Sequence, residues 1–210
     1  ISFNVKEIFL TSAPMALSTI AYFIMQSIDV IILSIYEGFN QIAYYSVSVK
    51  LALIIALALM SVNIVIAPKV AEVFEKGHFN EMQLLIKNST RIIVLISIIA
   101  LSILILFSET ILALFGPEYV TANEALLILL AAQFFNAISG PGSIYLNMSG
   151  RQRVLNKILI IGLLFNILLN FYFIPIEGIT GAAKATLISV VVRKTMVAVF
   201  IYSKDKIKIF

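Results

Sequence analysis

The chain has 210 residues, 61% hydrophobic and 12% charged, where soluble domains run at roughly 45–50% apolar and about 25% charged. That excess over what a water-soluble core can hide predicts an integral membrane protein. Cysteine is absent, which excludes disulfides, thiolate chemistry and cysteine metal sites; the net charge of +4 reads as loop asymmetry, not as a nucleic-acid footprint, because in a membrane chain the placement of Lys and Arg outweighs their sum.

A helical span takes about 20 residues at roughly 1.5 Å rise. Six apolar stretches qualify, at about 12–36, 42–68, 84–107, 123–146, 155–174 and 182–203. They are too continuously apolar for the alternating strands of a barrel. The connections alternate in charge. Glu37, then Glu109 and Glu118, then Glu177 occupy three connections without a basic residue. Lys6, the Lys69/Lys76/Lys87/Arg91 group, Arg151, Arg153 and Lys157, and Lys204, Lys206 and Lys208 mark the other side. The positive-inside rule therefore predicts both termini in the cytoplasm, consistent with an even number of spans. The chain begins at Ile1 without Met and reads as a cut through a longer one.

Local signals refine the pattern. Ala67–Lys76 is expected to extend the second span as an amphipathic helix before Gly77 and Asn80. Ile111–Phe115, ahead of Gly116-Pro117, is too short to span and is expected to lie in the interface. Gly140-Pro141-Gly142 interrupts the fourth span and predicts a kink or a broken helix.

The first span carries Ser18, Tyr22, Gln26 and Asp29 on one helical face. In lipid such a face is either helix–helix glue or the wall of a cavity that meets a polar cargo or a coupling cation. Asp29 lies ten residues before Phe39 and Lys50 eleven after it. An antiparallel hairpin thus sets both about 15 Å below the turn. They either pair, or face a hydrated passage in which Lys50 meets an anion. Gln133, Asn136 and Ser139 share a face of the fourth span. Asn166 and Asn170 are four apart on the fifth, and Thr186, Ser189 and Arg193 share a stripe on the sixth. Arg193 is the candidate interior anion contact. Arg193 and Lys194 are also placed to snorkel towards the cytoplasmic interface, and Lys184 towards the outer one. The sole histidine is His78, and no HExxH, GxxxxGK[ST] or GxSxG pattern occurs. The chain is not expected to be an enzyme.

A string of motifs carries a resemblance. These are Asp29-Val-Ile-Ile-Leu, Ala43-Tyr-Tyr-Ser-Val-Ser-Val-Lys50, Ala67-Pro68-Lys-Val-Ala-Glu with Lys76-Gly77, and Leu114-Phe-Gly-Pro-Glu-Tyr119. Gly140-Pro141 before Ser149-Gly150-Arg151, and Gly178-Ile-Thr-Gly-Ala-Ala183, complete the set. In this order and over nearly the whole chain, they resemble the second half of polysaccharide repeat-unit flippases of the O-antigen type. That group falls in the multidrug/oligosaccharidyl-lipid/polysaccharide exporter superfamily. The resemblance implies an all-α polytopic fold of two lobes around a central cavity. Residues 1–210 would supply the C-terminal six-helix lobe, with the N-terminal lobe absent from this chain. It implies movement of lipid-linked oligosaccharide across the cytoplasmic (inner) membrane by alternating access, in polysaccharide or lipopolysaccharide biosynthesis. Its partners would be that substrate, membrane lipid, the N-terminal lobe and polysaccharide assembly proteins, with no nucleic acid. No cofactor is implied beyond H⁺ or Na⁺ as coupling ion. The pathway candidates are Asp29, Lys50, Gln26, Tyr22, Asn136 and Arg193. Lys184 and Arg193-Lys194 depart from the family pattern. The alternatives are a cation-coupled multidrug exporter of the same superfamily and a non-transporting membrane scaffold.

Overall fold

The structure, a computed structural model, describes residues 16, 20, 23–25 and 27–207. Among them the regular elements are helical: α1 (Phe23–Tyr36), α2 (Phe39–Glu75), α3 (Phe79–Leu106) and α4 (Ser108–Ala113). A 3₁₀ turn (Pro117–Ala122), α5 (Asn123–Ile138), α6 (Gly142–Met148) and α7 (Gln152–Asp205) follow. Among the described residues four stretches, α2, α3, Pro117–Ile138 and α7, are long and apolar enough to cross a membrane.

A straight α7 of 54 residues would extend about 80 Å, far beyond a hydrocarbon core of about 30 Å. It folds back instead. Gly178 adopts φ 57°, ψ −129°, a conformation that a residue without Cβ reaches at little cost. Beyond it the two arms, 152–177 and 179–205, run antiparallel. A Cβ on Gly181 would lie 2.4 Å from the carbonyl oxygen of Phe173, and one on Gly162 would lie 3.3 Å from Cδ of Arg193. The arms correspond to the stretches expected at 155–174 and 182–203. The reversal between them is a single residue instead of a seven-residue loop, because Gly178 and Gly181 let the backbones touch. Lys184 meets Glu177 across this turn, so its charge is met by an acid and not by snorkelling alone.

The stretch expected at 123–146 is two helices. α5 stops at Ile138 and α6 starts at Gly142. Gly140 sits at φ +55°, and a Cβ there would fall 2.2 Å from Oγ1 of Thr90 on α3. α2 starts at Phe39 and runs through Pro68 to Glu75, which includes the expected extension; α3 starts at Phe79, five residues ahead of the expected 84. The short interfacial piece is α4.

α5 packs against α2, α3 and α7 and forms the middle of the bundle. Two apolar clusters close its ends. At the Gly178 end Leu33, Tyr45, Ile55, Leu126, Leu130 and Ile174 are fully enclosed. At the Asp205 end Val70, Met82, Ile86, Leu146, Leu155 and Ile201 are. The outside is apolar too. Ile92, Leu95, Ile96, Ile99, Ile103 and Leu106 make one exposed stripe along α3, spaced as a single helical face. Such a face is at home against acyl chains and not against water.

Candidate functional site

Asp29 lies near the middle of α1 and is 6% exposed. An ionised carboxylate in such surroundings costs several kcal/mol unless donors surround it, and three side chains from three segments supply them. Asn170 Nδ2 donates to Oδ1 at 2.7 Å, Tyr45 OH donates to Oδ2 at 3.2 Å, and Thr186 Oγ1 donates to the same Oδ2. Asn170 also donates to the Asn166 carbonyl oxygen at 3.0 Å, which holds its amide in place. Asp29 thus ties α1 to α2 and to both arms of α7. Lys50 takes no part: it is exposed on α2 and has no hydrogen bond or ion pair among the described residues. Asp29 and Lys50 are not partners.

Below Asp29 the bundle forms a half-open cavity of about 350 Å³. Asp29 heads it from α1; Tyr45 and Asn63 face it from α2, and Gln133 and Asn136 from α5. Ser143 and Asn147 face it from α6, Asn166 from the first arm of α7, and Thr186, Ser189, Arg193 and Lys194 from the second. Several of these groups have hydrogen-bonding capacity to spare. The Oδ1 atoms of Asn63, Asn147 and Asn166 are buried and receive no hydrogen bond from the described residues, and the same holds for Asn170, which lies outside the cavity lining. Asn136 Nδ2 donates to Gln133 Oε1 at 3.2 Å, joining that pair. Arg193 reaches the cavity across Gly162, whose missing side chain leaves room for the Arg193 methylenes. Lys194 is 8% exposed, so it does not snorkel to the interface; its ammonium stays inside the bundle. Charge is therefore separated along the cavity. The acid lies level with Asn170 and Thr186, and the two cations lie seven and eight residues further along the second arm, roughly 10–12 Å away.

Of the residues singled out in the sequence, Asp29, Asn136 and Arg193 line this cavity and Lys50 does not; Tyr22, Gln26 and Ser18 fall outside the described residues. The sequence reading did not pick out Tyr45, Ser143, Asn147 or Lys194 for this role. Ser143 and Asn147 are four apart, a helical signal, but they fall after the Gly140 break, where the phase inherited from α5 no longer applies. Among the described residues no three His, Cys, Asp or Glu side chains gather as a metal site.

At the Asp205 end Arg151 clamps the bundle. Its Nη2 donates to Asp205 Oδ1 at 2.7 Å, its Nη1 donates to Oδ2, and Tyr145 OH donates to Oδ2 at 2.8 Å. The guanidinium also lies over the rings of Phe74 and Phe200. Arg151 and Tyr145 hold the Asp205 carboxyl below its ordinary range, against an opposing push from partial burial.

An apolar-surfaced helical lobe with a polar, charge-bearing interior defines a multi-pass membrane protein, built to house polar groups within a bilayer. The family model described as MatE matches residues 14–172, and the chain belongs to the MatE family. That is a family of transporters and flippases, not of enzymes. Similar proteins include the "Uncharacterized membrane protein MJ1068" of Methanocaldococcus jannaschii, 32% identical over 166 residues, covering 78% of this chain and 32% of that one. Two are from Haloferax volcanii. The "Probable low-salt glycan biosynthesis flippase Agl15" is 27% identical over 209 residues, 98% of this chain and 44% of that one. The "Probable flippase AglR" is 22% identical over 165 residues, 77% and 35%. The chain spans between about a third and under half of the length of these relatives.

Proposed function

We propose that this chain is the C-terminal, six-span lobe of a flippase. The whole protein would carry lipid-linked oligosaccharide across the cytoplasmic membrane by alternating access, in polysaccharide assembly of the O-antigen kind. One observation carries the reading: a carboxylate, two cations and several half-satisfied amides line one cavity inside a bundle with an apolar exterior. A glycan joined to phosphate loses its hydration in hydrocarbon at a cost of several kcal/mol per group, and these groups offer replacement contacts while the lipid tail stays in the bilayer. One Haloferax relative is named as a glycan biosynthesis flippase and the other as a flippase, which supports a flippase connected with glycan synthesis.

Lys50 supports a second lobe. An exposed ammonium at membrane depth is costly against acyl chains, so its face of α2 is assigned to a hydrated cleft shared with an N-terminal lobe. Tyr22 and Gln26 are assigned to the same pathway by the helical face they share with Asp29. Asp29 is assigned the coupling role. Its oxygens, with those of Thr186 and Tyr45 and the free acceptors of Asn166 and Asn170 nearby, form an all-oxygen set suited to H⁺ or Na⁺. Both termini are placed in the cytoplasm on the strength of the basic flanks.

The test is complementation. The full-length protein, produced in cells lacking their own flippase, is expected to restore surface glycan. Protein present in the membrane without restored glycan would overturn the reading.

A further inference from the structure

Two helices carry the same arrangement on the outside of the bundle. Lys87 and Arg91 on α3, and Arg153 and Lys157 on the first arm of α7, are basic pairs four residues apart. All four side chains are exposed, and none forms an ion pair with a described acid. By contrast, Lys69, Lys76 and Arg151 at the same end of the bundle are met by Glu72, Glu81 and Asp205. A spacing of four sets each pair on one helical face, about 6 Å apart along the axis. On α3 that face runs on into exposed Leu95, Ile98 and Leu106; on α7 it runs on into exposed Ile161, Leu164, Leu168 and Ile176. Both pairs start at the Asp205 end, where Ile86 beside Lys87 and Ile158 beside Lys157 belong to one apolar cluster. Nineteen residues separate Lys87 from Leu106, and nineteen separate Lys157 from Ile176. That is roughly 28 Å of helix, close to a hydrocarbon thickness of about 30 Å. With the apolar faces in acyl chains, both lysines stand at the depth of the lipid phosphates. Arg91 lies one turn deeper and reaches the same level by snorkelling, and Arg153 lies one turn shallower.

We propose that the two pairs are headgroup sites for anionic phospholipid of the leaflet at the Asp205 end, with acyl chains lying along the apolar face beyond each pair. Charge is the argument for that occupant. An ammonium or guanidinium without an acid at the edge of hydrocarbon is costly, and a lipid phosphate brings the missing oxyanion to the same level. Phosphatidylcholine carries its own cation next to the phosphate. Phosphatidylglycerol carries none, so a basic pair attracts it more strongly. None of the four side chains lines the cavity, and the sites stand on the membrane class of the protein, not on the flippase reading.

The test uses the purified full-length protein in detergent micelles with equal amounts of phosphatidylglycerol and phosphatidylcholine of the same acyl chains. Native mass spectrometry counts the lipids retained. The wild type is expected to retain phosphatidylglycerol in preference. Lys87→Gln with Arg91→Gln, and Arg153→Gln with Lys157→Gln, should each weaken phosphatidylglycerol at its own site about 10- to 30-fold, and all four changes together should abolish the preference. Lys87→Arg with Lys157→Arg keeps the charge and should keep the preference. Lys69→Gln with Lys76→Gln removes two cations already met by acids and should leave it unchanged. Circular dichroism with a melting curve verifies that each variant folds. Equal retention of the two lipids by the wild type, or a preference that survives in the folded four-residue variant, would overturn the sites. A loss as large from Lys69→Gln with Lys76→Gln would overturn them too, since diffuse surface charge would then account for the preference. A dimer in the same spectra that the glutamine variants break, with lipid retention unchanged, would give these faces to a second copy of the chain and not to lipid.

Discussion

Thr186→Val removes one hydroxyl and keeps the side-chain shape, so it tests whether Asp29 is held as a carboxylate by donors from α7. Thr186 donates to Oδ2 of a carboxyl that is 6% exposed. A hydrogen bond to a charged acceptor contributes about 1.5–3 kcal/mol, and one to a neutral acceptor about 0.5–1.5. Side-chain hydrogen bonds within membrane bundles fall towards the lower end, about 0.6 on average and about 1.7 at most. Thr186→Val alone should therefore cost about 1.5–2 kcal/mol, and the same change on an Asp29→Asn background about 0.5. The difference, a coupling of about 1–1.5 kcal/mol, is measured by a double-mutant cycle. All four proteins are unfolded by titrating a denaturing detergent at one temperature, and helix content is followed by circular dichroism. Because Thr186 and Asp29 lie on segments 157 residues apart in sequence, local helix propensity cannot mimic the coupling. Additivity within about 0.3–0.5 kcal/mol would refute the claim that this hydroxyl serves an ionised Asp29.

Other outcomes follow from the same geometry. Asp29→Asn is expected to remove the dependence of export on a H⁺ or Na⁺ gradient, measured as glycan-lipid movement in vesicles with imposed gradients; unchanged dependence excludes Asp29 as the coupling group. Lys50→Ala should lower export while leaving the melting temperature within about 1 °C, since the side chain has no partner to lose among the described residues. Gly140→Ala should cost about 2–3 kcal/mol. About 1–2 comes from placing a Cβ at φ +55°, and about 1 from displacing the Thr90 hydroxyl off the Ile86 carbonyl oxygen. Thr90→Ala in the same chain should recover the second part and not the first. Asp205→Asn should cost about 1–2 kcal/mol at neutral pH. Because the folded Asp205 pKa is depressed, the stabilisation is present above the unfolded value, about 3.9, and is lost as pH falls through the folded value. The gap between wild type and Asp205→Asn is expected to stay flat above about pH 5 and to close on further acidification. A gap that persists at low pH would show that the clamp does not depend on the charge.

How much the chain revealed by itself can be traced residue by residue. Apolar run length alone located the long helices, because a bilayer sets both the length and the composition of a helix that crosses it. Gly140-Pro141-Gly142 announced a broken helix, and Asp29 announced an interior site, because a charge at that depth is tolerated only where something receives it. Tertiary structure alone decided what receives it. Helical spacing shows which residues share a face of one helix and is silent about which faces meet, so Tyr45, Asn170 and Thr186, drawn from different segments, could not be assigned to Asp29. The symmetry of Asp29 and Lys50 about the first turn fixed their depth and not their azimuth, and the two charges ended on different faces. Lys194 carries the same lesson. Its neighbours in sequence describe a cation near a helix end, free to snorkel, and only the packing of the second arm of α7 against α5 and α6 encloses it beside Arg193.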